Sequence, residues 1–134
     1  MNDSIVRFLQ QQTCVTICCV DEKGSPYCFS CFYSFNAEEG LLYFKSSADT
    51  HHSVLLEKNS IISGTVLPDK LNKVITRGIQ LKGEMLNHLH PLAKEAPGNY
   101  HKKYPLGMAI KGKVFTICLT DIKMTDSSFG FEKR

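Results

Sequence analysis

The strongest constraint on this chain is a succession of short runs rich in β-branched, aromatic and cysteine residues, each ended by turn chemistry. "TCVTICCVD" (13–21) and "YCFSCFYSFN" (27–36) flank "EKGSP", and "AEEG" leads into "LLYFKS" (41–46). Such runs favour strands, and Gly, Pro, Asn and Asp between them favour turns. The first three runs are read as an antiparallel meander. "SIISGTVL" (60–67), "VITRGIQLKGEML" (74–86) and "KVFTICLTDIKMTD" (113–126) supply three more strands, with Gly78 and Gly83 as candidate bulges or close backbone approaches. Six antiparallel strands and few helices predict closure into a barrel, since closure removes exposed edges. A chain of 134 residues is the size of one domain.

Helices are expected in three places. Asp3 or Ser4 offers an N-cap for a short amphipathic helix carrying Ile5, Phe8 and Leu9. A second helix runs from Asp49 or Thr50 to about Lys58, with Val54, Leu55 and Leu56 as its apolar face, and it plugs or flanks the barrel. The prolines between Leu89 and Gly112 suggest short helices beginning near Pro91 and Pro97.

Charge and composition exclude several classes. Sixteen basic and 13 acidic residues are spread without a block of like charge, which gives no nucleic-acid footprint. No segment approaches the roughly 18 apolar residues of a membrane-spanning helix. The acidic start "MNDSIVRFLQQQ" does not read as a secretory signal, so the expected compartment is the cytoplasm. Five of the six cysteines fall between positions 14 and 31. The "CFSC" spacing of Cys28 and Cys31 matches zinc and redox sites, but residues three apart on a strand face opposite ways, so the pair cannot close on one metal. The cysteines are read as free and mostly buried.

"KSSADTHHSVLLEKN" (45–59) places hydroxyls and two histidines between the third strand and the second helix. Three readings stand: a helix cap, a metal site, or an anion seat. Helix N-termini present unpaired amides and partial positive charge, and Ser46, Ser47, Thr50, His51 and His52 add donors. Metal binding is disfavoured because position 56, four after His52, is leucine. No common catalytic signature is present. Phe129 and Phe131 flank Gly130 in the tail, as a hydrophobic anchor or as an aromatic edge for a flat ligand.

Taken in order, Thr50 and His52, "SGTV" (63–66), "RGIQLKGE" (77–84) and "IKMTD" (122–126) resemble the pyridoxamine 5′-phosphate oxidase-like flavin-binding split barrels, and within them an uncharacterised bacterial subfamily. The resemblance covers nearly the whole chain. It implies a mainly β fold with short flanking helices, a six-stranded antiparallel split barrel, and a homodimer holding FMN at each of two interfacial sites. Ser46, Thr50 and His52, with Ser47 beside them, would hold the phosphate. Backbone near Ser30, Cys31 and Phe32, together with Gly64 and Thr65, would edge the flavin ring. Arg77 and Gln80 would meet its polar edge, and Lys103 or Tyr104 would reach across from the other subunit. Family members often place Lys or Arg by the phosphate, whereas this chain offers His51 and His52; His52 matches the motif and His51 faces solvent.

The implied activity is flavin-dependent oxidation or reduction of an unknown small molecule. Pyridoxamine phosphate oxidation itself is not expected, because the basic C-terminal extension of the true oxidases has no counterpart before "FEKR". The flavin would supply the redox chemistry, so no catalytic acid or base is named. The alternative is a non-catalytic carrier of flavin, deazaflavin or haem, and a third reading is an interaction module without ligand.

Overall fold

The computed structural model describes residues 1–128 and, for their backbone, 131–133. Its strands are β1 (Cys14–Val20), β2 (Pro26–Asn36), β3 (Leu41–Ser46), β4 (Ile61–Val66), β5 (Arg77–Leu86), β6 (Lys113–Asp126) and β7 (Phe131–Lys133). The helices are α1 (Asp3–Gln11), α2 (His51–Lys58) and α3 (Ala96–Lys103), with 3-10 turns at Pro91–Ala93 and Pro105–Ala109. Neighbouring strands follow the order β3-β2-β1-β4-β5-β6-β7, and β3 also pairs with β6. That last pairing closes β1 to β6 into the expected six-stranded antiparallel barrel. The short β7, absent from the sequence reading, adds to one edge of β6.

Alternation along each strand fills the interior. Val15, Ile17 and Cys19 point inward from β1, Tyr33 and Phe35 from β2, Leu42 and Phe44 from β3, Ile62 and Val66 from β4, and Ile79 and Leu81 from β5. β6 changes phase: Phe115 and Ile117 face the core, and so do Ile122 and Met124. A register shift at Lys82/Gly83, opposite Leu119 to Asp121, inserts one unpaired residue, Thr120. One extra residue turns an odd-numbered inward face into an even-numbered one. Gly83 permits this crossing, for a Cβ there would lie 2.6 Å from the Cys118 carbonyl oxygen and 2.8 Å from Ile117 Cγ2. Gly78, the other bulge candidate, stays in regular register opposite Thr125.

α1 caps one barrel end with Ile5, Phe8 and Leu9. Its N-cap is Asn2, whose side chain accepts from the Ser4 amide, rather than Asp3 or Ser4. Asn is among the strongest N-cap residues, and a cap one residue earlier adds to the first turn. α2 plugs the barrel, as Leu55 and Leu56 enter the core; Val54 instead lies 40% exposed and the buried Ser53 takes its place on the packed face. A second, smaller core forms where Ala96 and Tyr100 of α3 cover Leu41, Tyr43 and Val114. β3 is therefore covered on both sides, which explains the uninterrupted apolar run "LLYF".

The cysteines are less buried than expected. All six are free, and of these only Cys19 is buried while Cys14 and Cys28 are exposed. Cys19 faces the core, and Cys31 and Cys118 pack against the two cores, whereas Cys14 and Cys28 lie exposed on the sheet.

Gly64 faces inward between Ile17 and Leu81, where a Cβ would meet the Thr16 carbonyl oxygen at 2.6 Å. Gly64→Ala should destabilise the fold by about 1–3 kcal/mol through forced backbone displacement. Gly98→Ala, with nothing within 4 Å of the added carbon in α3, should instead stabilise it by about 0.4–1 kcal/mol. Urea denaturation of the two variants reads both signs.

Candidate functional site

β2 and β3 pair only from Asn36↔Leu41 to Tyr33↔Phe44. Beyond that point β2 continues to pair with β1 as far as Pro26, and β3 continues with β6 as far as Ser46↔Lys113. The two strands part, and the barrel is split there. A cleft of about 470 Å³ occupies the split, with Ser30, Cys31 and Phe32 on the β2 side and Lys45, Ser46 and Ser47 on the β3 side. Cys14, Tyr100, Gly107, Ile110 and Lys111 complete its walls. Its size lies within the range of small-molecule sites, roughly 300–1,000 Å³. Because neither strand has a partner across the split, backbone donors and acceptors of both edges are turned toward the same space.

At the end of the split, the start of α2 forms a dense hydroxyl network. Thr50 is its N-cap: the Thr50 side chain accepts from the Ser53 amide at 3.3 Å and donates to the Ser47 carbonyl at 3.0 Å. Ser53 Oγ also donates to the Ser47 carbonyl (2.8 Å), and Ser47 Oγ donates to Asp49. Ser46 Oγ lies 2.7 Å from His52 Nε2 and 3.3 Å from Thr50 Oγ1. The His52 ring stacks on Phe29 at 3.8 Å and 10°. Burial, and then the charge of neighbouring His51, lowers the His52 pKa, so the ring is neutral at pH 7. His51, read as facing solvent, is exposed but sets its ring edge-on against Tyr27 at 4.7 Å.

Positive charge at the split comes from lysines instead. Lys45 donates from Nζ to the Gly107 carbonyl (2.7 Å) and to His101 Nε2 (3.0 Å), while Lys111 lies exposed on the wall. Neither was singled out from the sequence. Lys45 stands in the quoted stretch, but strand alternation gave no reason to aim it at the same space as Ser46; Lys111 follows an irregular turn with no periodicity to place it. Gly112 connects that turn to β6 at φ 144°, with its missing Cβ position only 3.0 Å from the Ser46 carbonyl oxygen, so a side chain here would push the wall away. Phe32 is 54% exposed and stacks on Tyr104 at 5.6 Å, offering a flat apolar face. The Cys31 thiol is pushed up to about 12 by burial and then by Cys14, and so stays protonated.

The remaining sequence candidates lie elsewhere. Gly64, Thr65 and Gln80 border a separate depression on the outer sheet face, beside Thr16, Cys18 and Cys28. One continuous cross-strand row, Ser30, Thr16, Thr65 and Gln80, joins that depression to the split, with Thr16 Oγ1 2.9 Å from Ser30 Oγ. Arg77 sits toward α1, pairing with Asp126 at 3.2 Å and lying over the Phe8 ring. Lys103 donates to the carbonyls of Gln12 (2.8 Å) and Tyr33 (3.1 Å), and Tyr104 donates to that of Tyr33 (2.6 Å). Both side chains are tied down within their own chain. The aromatic tail reading rests on Phe129, Gly130 and the Phe131 side chain, which lie outside the described residues.

No family model matches the chain. Among solved structures, a haem binding protein from Mycobacterium smegmatis superposes with a TM-score of 0.79 at 11% identity, covering 95% of this chain and 54% of that one. This chain thus spans about half the length of that protein. A FAD-binding protein from Mesorhizobium loti gives a TM-score of 0.72 at 12% identity and covers 94% of this chain and 95% of the other. At these identities the shared property is the fold. In sequence, the UPF0306 protein of Photorhabdus laumondii subsp. laumondii is 32% identical over 130 residues, 97% of this chain and 90% of the relative. Identity sustained over nearly the full length of both proteins shows that this chain belongs to the UPF0306 family.

Proposed function

We propose that this protein binds FMN in the split between β2 and β3, as a homodimer, and serves as a flavin-dependent oxidoreductase acting on a small molecule. The observation that carries the reading is the parting of β2 and β3 after Tyr33↔Phe44, which opens two strand edges onto a cleft lined by Ser46 and Ser47, the residues that lead toward α2. The FAD-binding protein of the same fold supports a flavin-type ligand.

The donor set fits the group. Backbone of Ser30, Cys31 and Phe32 would meet the hydrogen-bonding edge of the ring, and the Phe32 face would cover its plane. The first amides of α2 have no intrahelical acceptor and would receive the phosphate together with Ser46 and Ser47. Thr50 and His52 would act mainly by holding that turn in place, since their polar atoms already serve the cap and Ser46. Lys45 and Lys111 would supply the charge that a neutral His52 lacks. When bound, FMN would supply the electron-transfer chemistry. Gly64, Thr65 and Gln80, which border the outer depression, would meet the flavin or the second subunit; Arg77 and Lys103, tied to Asp126 and to backbone carbonyls, would support the scaffold.

A non-catalytic carrier of flavin, deazaflavin or haem is the second reading. It is favoured by the lining of the cleft, where no carboxylate or imidazole stands among the described residues and Cys31 is held protonated. The haem binding protein with this fold supports it equally at the level of architecture.

Titration of purified protein with FMN, followed by flavin fluorescence, should show saturable binding. Lys111→Ala and Ser46→Ala should each weaken it about tenfold, the loss of roughly 1.4 kcal/mol expected for one good polar contact. Saturable haem binding with no response to FMN would replace the first reading by the second.

The histidine also sets a pH response. Its folded pKa lies below its unfolded value near 6.5, so the neutral form's stability is present above about pH 6.5 and is lost as pH falls through the folded pKa. Unfolding measured between pH 7 and pH 5 should therefore show a smaller acid loss in His52→Gln than in the parent chain.

A further inference from the structure

Cys18 and Cys28 face each other directly across the β1–β2 ladder, and both are free thiols. The ladder's hydrogen bonds fix what kind of pair this is. The Tyr33 amide bonds to the Thr13 carbonyl, and the Asp21 amide to the Ser25 carbonyl, so the hydrogen-bonded positions of β1 are the odd-numbered ones. Cys18 and Cys28 therefore occupy a non-hydrogen-bonded position, where opposing side chains come closest and Cα atoms stand roughly 4.5 Å apart. A disulfide spans Cα separations of about 4.4–6.8 Å, so closure needs side-chain rotation and little backbone movement.

No other cysteine is so placed. Cys19 follows Cys18 on the strand and turns to the core, with its thiol against the Tyr27 carbonyl. Cys14 lies opposite Phe32, and Cys31 lies opposite Val15. Cys18 and Cys28 also open onto the outer depression bordered by Thr16, Ser63 and Lys82, and Cys28 is exposed there, so a small oxidant can reach the pair. Hydrogen bonding with Cys18, followed by desolvation, raises the Cys28 pKa, so its thiol is protonated at neutral pH.

We propose that Cys18 and Cys28 form a reversible cross-strand dithiol/disulfide site that exchanges with low-molecular-weight disulfides. In the first step one protein thiolate attacks a sulfur of the small disulfide, whose S–S bond breaks and releases one small thiol. The second protein thiol, deprotonated, then attacks the protein sulfur of the mixed disulfide and expels the second small thiol. The pair loses two electrons and two protons, and the small disulfide is reduced to two thiols. Neither sulfur lines the split, and the pair shares the outer depression with Gly64, Thr65 and Gln80.

Glutathione disulfide is the probe. Reduced protein is incubated with it, remaining thiols are alkylated, and peptides are mapped by mass under non-reducing conditions. The expected product is a bond between Cys18 and Cys28 with Cys19 and Cys14 alkylated. Cys18→Ser and Cys28→Ser should each abolish the bond and leave the surviving partner as a mixed disulfide with glutathione, while Cys19→Ser should leave the bond in place. A bond joining any other pair, mixed disulfides only in the parent chain, or six alkylated cysteines at every ratio of glutathione disulfide to glutathione would overturn the proposal. The peptide map of the parent chain decides the matter even where a serine variant fails to fold.

Discussion

The ladder between β3 and β6, from Leu41↔Cys118 to Ser46↔Lys113, is the contact on which the remaining structure depends. It joins strands separated by some seventy residues of chain and turns an open meander into a barrel. Because β3 is held along its length by β6, it does not need β2 beyond Phe44. The parting of β2 and β3 is thus affordable without leaving β3 as a frayed edge. The cleft follows from that division of hydrogen bonds: one strand belongs to β1, the other to β6, and the space between them is lined by both.

Closure imposes a second requirement, that inward residues stay inward around the whole ring. β6 spans fourteen residues and crosses from one side of the barrel to the other, and a strict two-residue alternation could not serve both halves. The insertion of Thr120 opposite Lys82/Gly83 resolves this by exchanging faces, and the missing side chain of Gly83 gives the strand room to bend. The two glycines that matter most to the barrel, Gly64 and Gly83, do so through close approach to backbone carbonyls and not through unusual backbone angles.

Electrostatics at the split are divided in a similar way. The hydroxyl and histidine groups that drew attention in the sequence largely satisfy one another: Thr50 caps α2, Ser53 bonds back to the Ser47 carbonyl, and His52 is neutral between Ser46 and Phe29. They build a rigid turn. The charged groups that an anion would find, Lys45 and Lys111, arrive from the end of β3 and from the turn before β6. A preorganised turn and cationic side chains are complementary, since the first limits the ordering cost of binding and the second adds long-range attraction.

Strand runs, turns, the second helix and its Thr50 cap were legible in the sequence because each depends on a few neighbouring residues: side-chain alternation, glycine and proline chemistry, and the bonding of a hydroxyl to an amide three residues on. Ser30 to Phe32, Ser46 and Ser47, grouped through the order of motifs that pointed to a split barrel, line one cleft in the structure. The sequence could not show that Gly64, Thr65 and Gln80 border a different depression, that Lys103 bonds to Gln12 and Tyr33, or that Cys18 stands opposite Cys28 on an exposed face. Those facts depend on strand register and on contacts between residues far apart in the chain. Local sequence determines which segments extend, turn or coil, but only the closed sheet determines which side chains share a row, because a shift of one residue in register exchanges every neighbour and turns each side chain to the other face.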